Sequence, residues 1–90
     1  MASYNTREDI LRIQLLMLEA FTNETRWLGT ADLRQILDLR GTSAGMRTIQ
    51  QYCKAFVNMG LITIHPSDTK PWTMNVRYKK SGKIAVSYDI

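Results

Sequence analysis

Across one glycine, Gly60, the hydrophobic period of this 90-residue chain changes from 3.6 residues to 2, and that switch narrows its folds more than any other feature. Upstream, Thr42 to Asn58 reads as a helix of about four turns, with the hydroxyls of Thr42 and Ser43 available to cap it. Ile49, Cys53, Phe56 and Val57 fall on one stripe of that helix. Arg47, Gln51, Lys54 and Asn58 fall on the opposite face, with Thr48 and Gln50 on its shoulders. Gly60 suits the left-handed residue that closes a helix, and Leu61 to His65 follows at once as a strand.

The remaining elements follow from the same periodicities. Residues 6–22 read as a first helix, capped by Asn5 or Thr6, with Glu8 and Asp9 at its positive end. Ile10, Ile13, Met17 and Phe21 recur at helical spacing there, and Leu11, Leu15 and Leu18 widen the apolar sector. That width means either a central core helix or a second buried side at a dimer contact. Trp27-Leu28 forms an abbreviated strand, and Thr30 is the expected N-cap of a second helix with Asp32 in its first turn. Leu33, Ile36 and Leu37 face inward, and Arg40-Gly41-Thr42-Ser43 turns the chain into the third helix. Beyond the first strand, Pro66 to Pro71 is a loop and Trp72 to Lys79 a second strand. In it Met74, Val76 and Tyr78 alternate with Asn75, Arg77 and Lys79. A third strand is expected at about 83–88, where Ile84, Val86 and Tyr88 alternate.

The expected architecture is a single α+β domain over residues 1–90: three helices followed by a two- or three-stranded antiparallel β wing, a winged helix-turn-helix. The helix-turn-helix occupies about 30–59 and the wing about 61–79. With 44% hydrophobic residues the chain supports one core. The net charge of +4 is unevenly spread. Residues 1–41 hold five basic and six acidic side chains, whereas residues 42–90 hold seven basic ones against Asp68 and Asp89. Positive potential therefore concentrates on the half that contains the polar-faced helix, as nucleic-acid binding requires.

Several function classes lack their residues. Cys53 is the single cysteine, excludes an internal disulfide, and reads as a core thiol. One Cys and one His, His65, do not make a structural zinc site, and no cofactor is expected. Lys80-Ser81-Gly82-Lys83 lacks P-loop spacing. His65 has no assignable nucleophile or base partner, and Asp32 and Asp38 suit cap and surface roles, so no enzyme is expected. The opening residues lack a secretion signal and no segment reaches membrane-spanning length, which points to the cytoplasm.

The run Met46-Arg47-Thr48-Ile49-Gln50-Gln51 through Asn58-Met59-Gly60-Leu61-Ile62 resembles the N-terminal winged helix of DeoR-type and WYL-type bacterial regulators. Arg47, Thr48, Ile49, Gly60 and Leu61 match the family pattern, in which Arg-Thr begins the helix that enters the major groove. Gln51 and Tyr52 replace the family's Arg-Asp, and the turn from Leu39 to Arg47 is longer than the family's. The resemblance implies a small sequence-specific binder of double-stranded DNA, a bacterial or bacteriophage transcriptional regulator.

On that reading Arg47, Gln50, Gln51 and Lys54 face the major groove, with Arg47 or Lys54 on guanine and Gln50 or Gln51 on adenine. Ser43 and Thr48, near the helix start, bond a phosphate, while Lys70, Arg77 and Lys79 of the wing reach the flanking backbone or minor groove. Trp72 either packs the wing on the core or rests against a sugar. Small single modules bind weakly, so a homodimer is expected through the first helix or the last strand. The competing class is a winged helix that docks on a protein partner, as an accessory or inhibitory factor of a mobile element.

Overall fold

The computed structural model describes residues 7–68 and 76–81. Within them the chain runs α1 (Arg7–Asn23), β1 (Leu28–Gly29), α2 (Thr30–Leu39), α3 (Met46–Asn58), β2 (Ile62–Ile64) and β3 (Arg77–Lys80). The strands form one antiparallel sheet in the order β1-β3-β2. Three helices on a small antiparallel sheet whose last two strands follow α3 are a winged helix-turn-helix, the α+β architecture expected from the sequence.

Each helix is positioned by an apolar stripe. Ile13, Met17, Ala20 and Phe21 of α1, Leu33 and Leu37 of α2, and Ile49, Cys53 and Phe56 of α3 are buried. Leu28, Ile62, Val76 and Tyr78 close the same core from the sheet side. The register places Leu28 and Ile64 on either side of Tyr78, so one row of inward side chains crosses all three strands. Because side chains alternate along a strand, Arg77 and Lys79 then point to the outer face. The expected alternation of Val76 and Tyr78 with Arg77 and Lys79 is therefore observed. The described part of the second wing strand is Arg77–Lys80. Trp72–Asn75 and the strand expected at 83–88 lie outside the described residues. The third strand within the described sheet is β1, paired on the far edge of β3.

Two expected helix caps are corrected. Gly29, with φ −89° and ψ 175°, is the N-cap of α2, and Thr30 is its first helical residue and almost fully buried. The reason is continuity: β1 is still paired with β3 at Gly29, so the extended residue before the helix is the last residue of the strand. Glycine has no side chain to offer, but its N–H donates to Asp32 Oδ2 at 2.9 Å, the return half of a capping box. Likewise α3 begins at Met46 after the N-cap Gly45, four residues beyond Thr42. Thr42 is already committed to ending α2, because its N–H donates to Leu37 O at 2.9 Å. Ala44 is buried between the two helices in sequence, and this spends further residues before α3 can start.

Both helices of the helix-turn-helix end by the same device. Gly41 has φ +75° with Gly41 N–H bonded to Asp38 O and Thr42 N–H to Leu37 O. Gly60 has φ +77° with Gly60 N–H bonded to Val57 O and Leu61 N–H to Phe56 O. These paired bonds are the Schellman closure, which needs a left-handed residue and favours glycine. A Cβ at either glycine would meet nothing within 4 Å, so an alanine there is penalised only by its backbone conformation. Gly41→Ala and Gly60→Ala are each expected to lower unfolding stability by about 1 kcal/mol, read as a lower urea midpoint at unchanged slope.

Candidate nucleic-acid interface

The buried stripe of α3 fixes what its other side presents. With Ile49, Cys53 and Phe56 in the core, Arg47, Gln51, Lys54 and Asn58 are exposed along one stripe at spacings of four, three and four. Thr48 and Gln50 are half-buried on its shoulders. Tyr52, which stands beside Gln51, is half-buried and packs against the core. The helix contains no Asp or Glu, and neither Arg47 nor Lys54 forms a salt bridge with another described residue. The face is therefore a stripe of donors with two open cations and two amides, a set able to hold phosphates and read base edges. Cys53 behind it is buried, and desolvation pushes its thiol up to about 12, so it stays neutral and packs as an apolar group.

The wing cations occupy a different environment. Arg77 Nε donates to Asp68 Oδ2 at 2.8 Å and Arg77 Nη2 donates to Asp68 Oδ1 at 3.2 Å, a bidentate pair. Arg77 Nη2 also donates to Ser67 Oγ, and the Arg77 backbone N–H to Asp68 Oδ2. The turn that delivers Asp68 is set by Pro66, with Asp68 N–H bonded to His65 O at 2.9 Å. Lys79 is half-buried, and its Nζ lies 5.5 Å from the centre of the Trp27 ring. Trp27 in turn packs edge-to-face with His65, ring centres 4.6 Å apart. Arg77 and Lys79 thus share the outer sheet face, each with an intramolecular partner, whereas Lys70 and Trp72 lie outside the described residues.

His65 has a local partner that the sequence pattern did not reveal: its Nδ1 lies 2.8 Å from Ser67 Oγ and accepts from Ser67 N–H at 3.2 Å. The neighbouring carboxylate, Asp68, is held by Arg77, so it does not orient the imidazole as a catalytic base requires. Among the described residues no three His, Cys, Asp or Glu side chains converge on a metal-sized site. No described helix is long and apolar enough to cross a membrane.

Ser43 is exposed in the loop before α3. It lines an open cleft of about 170 Å³ with Asp9, Arg12, Ile13, Gly41 and Thr42. Sequence reasoning missed this neighbourhood, because Arg12 belongs to α1 and meets the loop only through the tertiary fold. It also missed the Asp68–Arg77 pair, for which the turn residues Pro66-Ser67-Asp68 were the available signal.

No protein-family model matches the chain, and no curated protein matches it significantly. Solved structures do match its shape. The ferric uptake regulator of Vibrio cholerae, described for the rearrangement of its DNA-binding domains, aligns with TM-score 0.64 and 19% identity. The alignment covers 80% of this chain and 53% of that one. The ferric uptake regulator of Francisella tularensis, solved with iron, aligns with TM-score 0.65 and 18% identity over 92% of this chain and 58% of that one. What they share with this chain is the fold. The chain spans little more than half the length of either regulator.

The Arg77 guanidinium, chiefly through its hydrogen bonds, holds the Asp68 carboxyl below the ordinary carboxylate range. A carboxyl lowered in the folded state contributes stability above its unfolded pKa of about 4, and the contribution is lost as pH falls through the folded value. The urea midpoint of Asp68→Asn is therefore expected to lie below that of the wild type at pH 7, with the gap closing in acid. A gap independent of pH would show that the ion pair contributes no net stability.

Proposed function

We propose that this protein binds double-stranded DNA as a transcriptional regulator of bacterial or bacteriophage type, with α3 in the major groove and the β2–β3 wing on the flanking backbone. The observation that carries this reading is the exposed, acid-free stripe Arg47–Gln51–Lys54–Asn58 on the third helix of a winged helix-turn-helix. In this class of fold that helix is the one that enters the groove. The likeness of fold to regulators described as having DNA-binding domains supports it. So does the motif resemblance to DeoR-type and WYL-type regulators at Arg47-Thr48-Ile49 and Gly60-Leu61-Ile62.

Arg47 or Lys54 pairs with guanine, Gln51 or Gln50 with adenine, and Thr48 and Ser43 bond the backbone. Lys70 and Lys79 serve the flanking phosphates, and Arg77 does so only by sharing its guanidinium between Asp68 and DNA. With about four phosphates neutralised, log K is expected to fall against log salt with slope near −3.5. Arg47→Ala weakens a specific site by about 1–3 kcal/mol if its contact is to a base. Lys54→Glu, which breaks no internal pair, abolishes binding to random duplex at low salt. A wild type that binds no duplex in fluorescence anisotropy at low salt overturns the reading.

A homodimer is part of the proposal, and a specific observation favours an apolar contact on α1. Ile13, Met17 and Phe21 serve the core, yet Leu11 and Leu15, one turn apart on another side, are 57% and 64% exposed. Two leucines spaced four apart on an otherwise polar helix face suit a second copy or a protein partner. Leu15→Glu is expected to convert the protein to a monomer in sedimentation at tens of micromolar while leaving its helical signal intact. A wild type already monomeric at that concentration removes the dimer and leaves Leu11 and Leu15 for a different protein.

A further inference from the structure

The cleft formed by Arg12, Thr42 and Ser43 has a chemistry that α3 and the wing do not account for. Arg12 rises from α1, is exposed, and makes no salt bridge with another described residue. Arg26, Arg40 and Arg77 are tied down, to Glu24 and Asp32, to Glu19 and to Asp68, whereas Arg12, like Arg7, Arg34 and Arg47, is exposed without such a pair among the described residues. The cleft that Arg12 lines is polar and open, bounded by α1 on one side and by the loop that joins α2 to α3 on the other. The loop is not free to drift, because the Gly41 closure and the burial of Ala44 fix it on both sides of Thr42 and Ser43. Thr42 spends its backbone N–H on Leu37 O, but neither its hydroxyl nor that of Ser43 takes part in the side-chain hydrogen bonds of the described residues. Arg12, Thr42 and Ser43 thus line one small cleft directly ahead of the N-cap of α3.

We propose that this cleft seats one DNA backbone phosphate, held by the Arg12 guanidinium and the Thr42 and Ser43 hydroxyls, as an anchor separate from the α3 stripe and the wing. The inference rests on the DNA-binding reading above. Asp9 lines the same cleft, so its formal charge is balanced and it does not gather free anions from solution. A phosphodiester is the ligand that fits: it carries only a single negative charge, accepts hydrogen bonds from a guanidinium and hydroxyls, and is delivered by the rest of the duplex against the opposing charge of Asp9. The cleft then sets how deep and at what angle the N-terminal end of α3 enters the groove. Its contact carries no sequence information of its own.

The test is anisotropy titration of the full chain with random duplex DNA across a salt series. Arg12→Ala is expected to make the salt slope shallower by about 0.9 and to weaken binding about tenfold at 0.1 M salt. Arg12→Lys keeps the slope, because it keeps the charge. Ser43→Ala weakens binding about threefold without changing the slope, and its effect shrinks to nothing in the Arg12→Ala background, since both groups hold one phosphate. Millimolar inorganic phosphate leaves the Arg12 side-chain NMR signals unmoved, whereas duplex DNA shifts them. A wild type that binds DNA and loses it on Lys54→Glu, but shows an unaltered slope in Arg12→Ala, overturns the cleft and leaves the α3 reading standing. Additive effects of Arg12→Ala and Ser43→Ala also overturn it. A wild type that binds no DNA overturns both.

Discussion

The row Leu28–Tyr78–Ile64 is the constraint on which the rest of this structure depends. It joins three strands that are remote in sequence, and Tyr78 at its centre is buried to 1% exposure. Burial pushes the Tyr78 phenol up to about 12, with the Cys53 thiol of α3 a lesser cause. α3 packs against α2 and against β2 of this sheet, which leaves it little freedom to roll. Rolling α3 would lift Ile49, Cys53 or Phe56 out of the core, and burial of a side chain such as Ile49 or Phe56 contributes about 1.5–3 kcal/mol. The exposed stripe of α3 is therefore set from behind, by apolar packing, and not by any contact that the polar residues make among themselves.

The same packing explains the division of labour on the surface. All but one of the acidic residues of the first 41 positions lie on α1 and α2, with Glu24 in the connection between them, and two arginines just outside these helices, Arg26 and Arg40, are engaged by Glu24, Asp32 and Glu19. These pairs are exposed and each contributes little to stability. Their consequence is electrostatic: they cancel charge on one side of the molecule and leave the α3 stripe as a face with cations and no anions. On the wing, Asp68 cancels Arg77 in the same way while tying the turn after β2 to the start of β3.

What could be read from the sequence follows from range. The faces of α3 were legible because a 3.6-residue period over thirteen residues is a strong local signal, and the glycine closures at Gly41 and Gly60 need only their own turn. The inward row of β3 was legible from Val76 and Tyr78 for the same reason. The caps at Thr30 and at Thr42 or Ser43 were misplaced because hydroxyl residues mark where a cap is chemically able to form. Whether it forms there was decided by β1 running paired into α2, and by Ala44 entering the core. Two-residue β1 is too short to show alternation, and its role as the third strand exists only through its partner. Sequence also counts cations without knowing which are engaged, so Arg77 looked equivalent to Lys54 when one is clamped and the other open.

That last difference changes how the charge asymmetry of the chain should be understood. Counted along the sequence, the positive half is residues 42–90. Counted by which described side chains remain without an acidic partner, Arg7 and Arg12 of α1 and Arg34 of α2 join Arg47, Lys54, Lys79 and Lys80, while Arg77 belongs to the internal framework. Cations without an acidic partner thus occur in both halves of the described chain, on α1, α2, α3 and β3. Coulomb attraction between solvent-exposed charges fades over about 10 Å at 0.1 M salt, so cations act as one site only when the fold places them close together. The buried core and the glycine closure after α2 fix the elements that carry these cations, so the apolar interior decides which of them share a face.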